Sequence, residues 1–354
     1  MNKLFYLILL SIFVISIQAK PIAFIQDQEL LNRLIDLSAP NSIQSMEDLD
    51  ENVAEIKSIF GDQDDLRGFV DPRGAFATIY QVTTSKGLAS ILETENGQGE
   101  FHDPAMVRCF AVEFGKLYLD NLHGHLTGGP VSKGWRSYYR MAADKDMHIL
   151  QIMGAGANVH INIDLTAALQ TCEASKDFKD DFMQAGKPLV EEIPTMAEDL
   201  KAIYGVDHKL TYALFNMYFV GAAGNVIFKL FGMEKGSSYA IFQTLRWLGF
   251  KNHKILTRLH DGKWYTIAPH AREALLRKRM DTLWGASNFV LNKWIHIAQN
   301  ESIDRAEDQL DNIFKDVIKN IGRNFFKRGE QEGTSSLIDL DPTPDNRLID
   351  LDNL

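Results

Sequence analysis

The chain has few of the residues on which disulfide-rich folds and zinc fingers depend. Only Cys109 and Cys172 occur in 354 residues, which excludes a disulfide framework and a cysteine-rich zinc site. The two thiols either pair in an oxidising compartment or remain free and buried on apolar helical patterns. Basic clusters are also short, at 277–279 and 327–328, and lie among acids. We therefore expect no nucleic acid among the partners.

Long apolar runs are missing as well. The charge-free run at 4–17 is shorter than the roughly 20 residues of a membrane span, and it lies between Lys3 and a small-residue site ending at Ala19. This is the layout of a signal peptide at 1–19, cut before Lys20, that exports the protein to the periplasm or the medium. An uncleaved anchor is the alternative. The uncharged stretch 211–228 contains Asn and Gly, which favours a buried hairpin or kinked helix, so no stable membrane span is expected.

Hydrophobic periodicity predicts a mainly α protein with a single multi-helix domain at 20–328 around a buried central helix. Helices are expected at 22–37, 46–60, 104–122, 269–299 and 302–327, and two short elements at 75–92 around Gly87. His123 and His125 fall in the loop predicted after residue 122. An Asp-Gly turn at 261–262 suggests a small β-hairpin over 256–267. Residues 329–354 are polar, acidic and poor in aromatic residues, which predicts a disordered tail.

The stretch 154–165 interleaves small, apolar and titratable residues more tightly than any other. With Asn158 as a helix cap, His160 and Asp164 share one stripe and Asn158 and Asn162 share another, while aliphatic residues fill the rest. Such a helix is buried. Because an unpaired buried amide or carboxylate costs several kcal/mol, neighbouring helices, a metal or a ligand must supply partners for these four side chains.

Two interpretations of His160 and Asp164 remain open. An imidazole and a carboxylate one helical turn apart can chelate a divalent metal such as zinc or act as an acid/base couple. Alternatively, they form a buried hydrogen-bond network that fixes the helix. A zinc site would need further ligands, for which His123 and His125 are candidates, together with His102 and Asp120.

The tail contains a repeated pentapeptide: Leu337-Ile338-Asp339-Leu340-Asp341 recurs as Leu348-Ile349-Asp350-Leu351-Asp352. Aliphatic side chains have no folding reason to lie in such a segment, and two intervening prolines disfavour one helix across both copies. The layout is typical of a linear motif that docks as an extended strand. The alternative is an amphipathic extension that folds back on the domain. Residues 32–37 repeat the letters of 346–351, but there a helical pattern predicts core packing.

Both tail copies resemble the clathrin box of endocytic adaptors, which is leucine, aliphatic, any residue, aliphatic, acid. This resemblance implies docking to the terminal β-propeller of the clathrin heavy chain through Leu337, Ile338, Leu340 and Asp341, and through Leu348, Ile349, Leu351 and Asp352. Two boxes on one linker would gain avidity on a multivalent coat.

The folded part resembles an uncharacterised, mostly helical family of bacterial and fungal proteins with a His-Ile-Asn-x-Asp-Leu motif. The residues that carry the likeness are 101–104, Trp135 with Tyr138, and 154–165. The resemblance would cover about 70–300, and it implies a helical fold and a pocket around the motif but no reaction. His160-x-x-x-Asp164 is also similar to the helical metal motif of zinc-dependent phospholipase C and single-strand nuclease families.

Three hypotheses follow for function. The first is an exported bacterial effector-like protein whose tail docks host clathrin, with a helical domain of unknown activity. The second is a metal-dependent hydrolase, phosphoesterase-like, that uses the pocket of Asn158, His160, Asn162 and Asp164. The third is an exported binding protein without catalysis. No cofactor is certain, and zinc or another divalent metal would belong to the second hypothesis.

Overall fold

The computed structural model describes residues 20–186, 190–215, 240–260, 269–310 and 312–313. This part of the chain is mainly α, as predicted. Its α-helices are α1 (Gln28–Leu37), α2 (Met46–Gly61), α3 (Ala75–Glu95), α4 (Pro104–Thr127), α5 (Lys133–Ala143), α6 (Ile149–Val159), α7 (Leu165–Thr171), α8 (Lys179–Gln184), α9 (Ile193–Tyr204), α10 (His208–Phe215), α11 (Ala240–His260) and α12 (Pro269–Asn300). Within the described residues, no helix has the length and apolarity that crossing a membrane requires.

The helix starts are set by side chains that accept hydrogen bonds from the first turn. Asp103 accepts from the N–H of Met106 before α4, with Pro104 at the first helical position, where its missing N–H is not needed. Ser45 and Asp48 form a reciprocal capping box at the start of α2. The predicted starts at 46, 104 and 269 are confirmed.

The first residues of the described chain are extended, so the helix predicted from residue 22 is wrong at its start. Val70 pairs with this segment through two 2.9 Å backbone hydrogen bonds, to Pro21 and Ala23, and Ile25 is buried in the core. Helix α1 begins only after Asp27, whose carboxylate accepts from the N–H groups of Glu29 and Leu30. Tertiary pairing therefore overrides the amphipathic pattern here.

Two further helix predictions need correction. Helix α3 is continuous, because Gly87 is accommodated in its interior where a Cβ would meet only the tip of Met46 at 3.5 Å. Helix α4 continues past residue 122 and includes His123 and His125, so neither histidine lies in a loop. Gly124 lets the chain at Pro130 pass close to this last part of α4, since a Cβ there would lie 2.1 Å from the carbonyl oxygen of Pro130.

The hairpin prediction is wrong at its first strand, because Leu256 lies in α11. Its turn at 261–262 lies outside the described residues. So do the signal peptide, most of the uncharged stretch 211–228, residues 314–327 of the last predicted helix, and the whole tail with both pentapeptides. The copy of the tail letters at 32–37 lies in α1 with Leu34 and Leu37 buried, which confirms core packing there.

The centre of the domain is α6, which packs against α3, α5 and α12. A disulfide joins Cys109 in α4 to Cys172, the residue that ends α7. This settles the state of the two thiols, which the sequence left open. Because α7 continues directly from the 154–165 stretch, the disulfide ties that stretch to α4.

Candidate functional site

The geometry of the site rests on a change of helix type at its centre. Helix α6 begins after His148, whose ring accepts from the N–H of Leu150. Asn158 therefore lies inside α6, and the prediction that it caps a helix is wrong. Residues His160–Asp164 form a π-helical turn, in which the N–H of Leu165 donates to the carbonyl of His160. Such turns insert one extra residue into a helix and are frequent at functional sites.

The π-turn brings His160 and Asp164 into direct contact. Nδ1 of His160 lies 3.0 Å from Oδ2 of Asp164, and the indole Nε1 of Trp135 donates to the same oxygen at 2.9 Å. Because a carboxylate only accepts, the proton between the two groups belongs on Nδ1. Trp135 comes from α5, so the network joins two helices, and all three side chains are buried.

Aromatic rings enclose the His160 imidazole. Phe114 of α4 stacks on it with ring centroids 3.5 Å apart, Tyr80 and Phe76 of α3 meet it edge-on at 4.9 and 5.2 Å, and Trp135 lies at 6.1 Å. This burial lowers the pKa of His160 below its ordinary value, although Asp164 opposes the shift. The imidazole is therefore neutral at pH 7, and its Nε2 carries a lone pair.

That Nε2 is the unusual atom of the site. It is buried and has no hydrogen-bond partner among the residues that the structure describes. An unpaired buried acceptor costs free energy, and such groups are rare in native structures. A neutral imidazole with Nδ1–H held by a carboxylate and Nε2 unoccupied is the arrangement of a general base, and of a metal-bound histidine with its orienting carboxylate.

Asn158 connects the stretch to α12, and Asn162 bonds to Asn158. The Asn158 amide donates to the backbone carbonyl of Trp284 at 2.9 Å and to Oδ1 of Asn288 at 2.7 Å, and Asn162 donates to the backbone carbonyl of Asn158 at 3.1 Å. For Asn158 and Asp164, neighbouring helices supply partners, as the sequence predicted, whereas the Asn162 amide is bonded within the stretch itself. These contacts are structural.

The other candidate ligands do not join His160 and Asp164. His123 places Nδ1 3.2 Å from the carbonyl of Ile35 in α1, and His125 stacks on Tyr139 at 3.9 Å. The N–H of His102 donates to Asp181, and Asp120 lies near the middle of α4. Within the described ranges, no three His, Cys, Asp or Glu side chains form a group that could hold a metal ion.

Sequence reasoning missed Trp135 as a donor to Asp164 and missed the aromatic enclosure. Trp135 precedes Asp164 by 29 residues, and Phe114 and Tyr80 are more distant still, so no local spacing reports these contacts. The tail residues predicted to bind clathrin lie outside the described part of the chain.

Residues 52–224 match the model of a family of unknown function (DUF5995). The match includes most of α2, the whole π-turn, Trp135 and the three other rings around His160, and it begins and ends earlier than the predicted 70–300. No curated protein and no solved structure matches the chain.

Proposed function

We propose that this chain, whose residues 52–224 belong to that family of unknown function, is exported and docks clathrin of a host cell through its tail. The observation that carries the proposal is the recurrence of Leu-Ile-Asp-Leu-Asp at 337–341 and 348–352. Each copy supplies the aliphatic residues and the terminal acid of a clathrin box. The helical domain then acts as the exported body that carries the tail.

The disulfide supports export. Disulfides persist in oxidising compartments and are rare in the cytosol of mesophiles, so the bond between Cys109 and Cys172 agrees with the signal peptide predicted at 1–19. Clathrin is cytosolic, and the two features are reconciled if a bacterium exports the protein and it is delivered into a host cell. The effector hypothesis therefore requires delivery as well as docking.

The internal copy of the motif letters shows what distinguishes the tail. In α1 the leucines at 34 and 37 are buried by the protein's own core, so neither leucine is available to a partner. In the tail, the prolines at 342 and 344 disfavour a helix that would cover the repeats in the same way. The docking proposal applies to the tail copies only.

A pull-down with the immobilised clathrin terminal domain tests the docking. We expect the native chain from residue 20 to be retained, and a variant with Leu337, Leu340, Leu348 and Leu351 changed to Ala to be lost. These changes leave the net charge of the tail unaltered, so charge attraction is controlled. On assembled coats, a variant with one intact box should bind far more weakly than the native tail, because avidity is removed. Equal recovery of the native and four-alanine chains ends the proposal.

A second candidate is a metal-dependent hydrolase acting on phosphoesters, with His160 and Asp164 as ligands. The unoccupied Nε2 favours His160 as a ligand. Against the candidate, Asp164 is bonded to Nδ1 on the opposite side of the ring, and the described residues offer no group of three ligands. It predicts zinc bound in stoichiometric amount, lost in His160→Ala and kept in His123→Ala. Purified native protein that binds no zinc or other divalent metal when supplied with it removes this candidate. If the docking proposal fails as well, an exported binding protein without catalysis is the function that remains.

A further inference from the structure

A narrow cleft of about 70 Å³ lies along α3 and α4. Its wall consists mainly of carbon, and the large side chains in it are Met46 of α2, Tyr80 and Ile91 of α3, and Phe110 and Phe114 of α4. Tyr80 and Ile91 are eleven positions apart, so the cleft follows about 16 Å of helix. A cleft that is long and narrow fits a linear chain better than a ring system.

The hydroxyl groups in the wall are already bonded within the protein. Thr83, Thr84 and Ser90 donate to backbone carbonyl groups three or four positions earlier in α3, at 2.9–3.1 Å. Gly87 is partly exposed at the border of the cleft, and a Cβ there would meet only the tip of Met46 at 3.5 Å. The wall therefore presents mainly carbon to a ligand, which is typical of sites for apolar groups.

A buried charged side chain, Arg246 of α11, also lines this cleft. Its guanidinium donates to the backbone carbonyl of Phe182 and lies over the ring of the same residue, with the guanidinium carbon 4.3 Å from the ring centroid. Phe182 in turn meets Phe110 of the cleft wall edge-on, with ring centroids 5.3 Å apart. These contacts hold a positive charge beside an apolar wall and away from solvent.

This positive charge would be stabilised by an anionic ligand. Burial lowers the pKa of the Arg246 guanidinium to about 9, because removing the charge from water disfavours the charged form, and the group remains charged at pH 7. The carbonyl and the ring of Phe182 are neutral, so neither of them cancels the charge. A carboxylate does cancel it, and the planar fork of a guanidinium matches the two carboxylate oxygens.

We propose that the cleft binds a linear aliphatic monocarboxylic acid, with its alkyl chain along the wall between α3 and α4 and its carboxylate on Arg246. The apolar wall accounts for the chain, and the buried cation accounts for the head group. An uncharged lipid would match the wall alone, and a small inorganic anion would match the cation alone. This site is independent of the docking proposed for the tail and of any chemistry at His160.

The probes are octanoate and octanamide, which have the same alkyl chain and head groups of similar size, but only octanoate is charged at pH 7. Each is titrated into the mature protein, from residue 20 to the end of the tail, by isothermal titration calorimetry. We expect octanoate to bind saturably and at least about tenfold more tightly than octanamide, because hydrogen bonds between charged groups are stronger than those to a neutral amide.

Arg246→Met tests the head-group contact, because it removes the charge and keeps an unbranched side chain. This variant should bind octanamide as the native protein does and should lose the preference for octanoate. Arg305→Met makes the same change at an exposed position and should keep the native preference. Should Arg246→Met fail to fold, the comparison of octanoate with octanamide on the native protein tests the same contact.

Ala111→Leu fills the cleft from α4, and Ala105→Leu makes the same change at an exposed position of that helix. The first should abolish octanoate binding and the second should preserve it. Gly87→Val fills the cleft from α3 and serves as a second blocking variant should Ala111→Leu fail to fold. The proposal is overturned if octanoate does not bind saturably, if octanamide binds the native protein as tightly, if folded Arg246→Met keeps the preference for octanoate, or if the blocking variants bind octanoate like the native protein.

Discussion

Removing the disulfide between Cys109 and Cys172 should destabilise the helical domain by about 4 kcal/mol. The two residues are 63 positions apart, and closing a loop of that length removes about 14 cal/mol/K of entropy from the unfolded chain, which is about 4 kcal/mol at 25 °C. This is a large share of the 5–15 kcal/mol by which native domains are typically stable. The residues packed around the π-turn are unchanged, so the folded state should keep its helix content.

The assay is urea unfolding followed by tryptophan fluorescence, on the native protein with and without reductant and on Cys109→Ala with Cys172→Ala. The reduced protein and the double variant should lose the same free energy, because both lack the loop constraint. A loss below about 1 kcal/mol in both would refute the loop-closure reasoning. A loss in the double variant alone would instead point to packing of the half-cystine side chains.

Three other predictions concern the packing around the site. Gly134→Ala should cost about 1–3 kcal/mol of unfolding free energy, because the new Cβ would lie 2.0 Å from Val159. Gly87→Ala is the control and should not destabilise the protein, because its Cβ meets no such clash. Equal losses of unfolding free energy in the two variants would contradict the close-approach argument. Trp135→Phe should cost about 1.5–3 kcal/mol by removing the donor to Asp164. Trp294→Phe is its control, as that indole has no partner among the described residues, and a matching loss would argue against the hydrogen bond. Burial lowers the pKa of His125 to about 4, so the unfolded chain takes up a proton below pH 6.5 and the folded chain does not. The free energy of unfolding should therefore fall between pH 6.5 and about 4 more steeply in the native protein than in His125→Phe. The difference between the two slopes should be less than about 1.4 kcal/mol per pH unit, because the ring is partly exposed. Parallel pH curves for the two proteins would contradict this prediction.

The helical class of the fold could be read from the sequence because its signals are local. Asp103 and Pro104 mark the start of α4 whatever lies around them, and the spacing of apolar residues marks α2 and α12. The contact of His160 with Asp164 was foreseen for the same reason, since four positions of separation place them on one helical face. The extended start at 20–25 was not foreseen, because its pairing with Val70 is a long-range contact.

The sequence predicts that four polar side chains lie within one apolar helical stretch and that at least some of them need partners from elsewhere in the fold. Which residues are those partners follows only from the packing of the helices. It placed Trp135 on Asp164, Asn288 on Asn158 and the Phe114 ring on His160, and it left Nε2 without a partner among the described residues. Periodicity reports which face of a helix is buried, whereas the residue that covers this face depends on how distant helices pack.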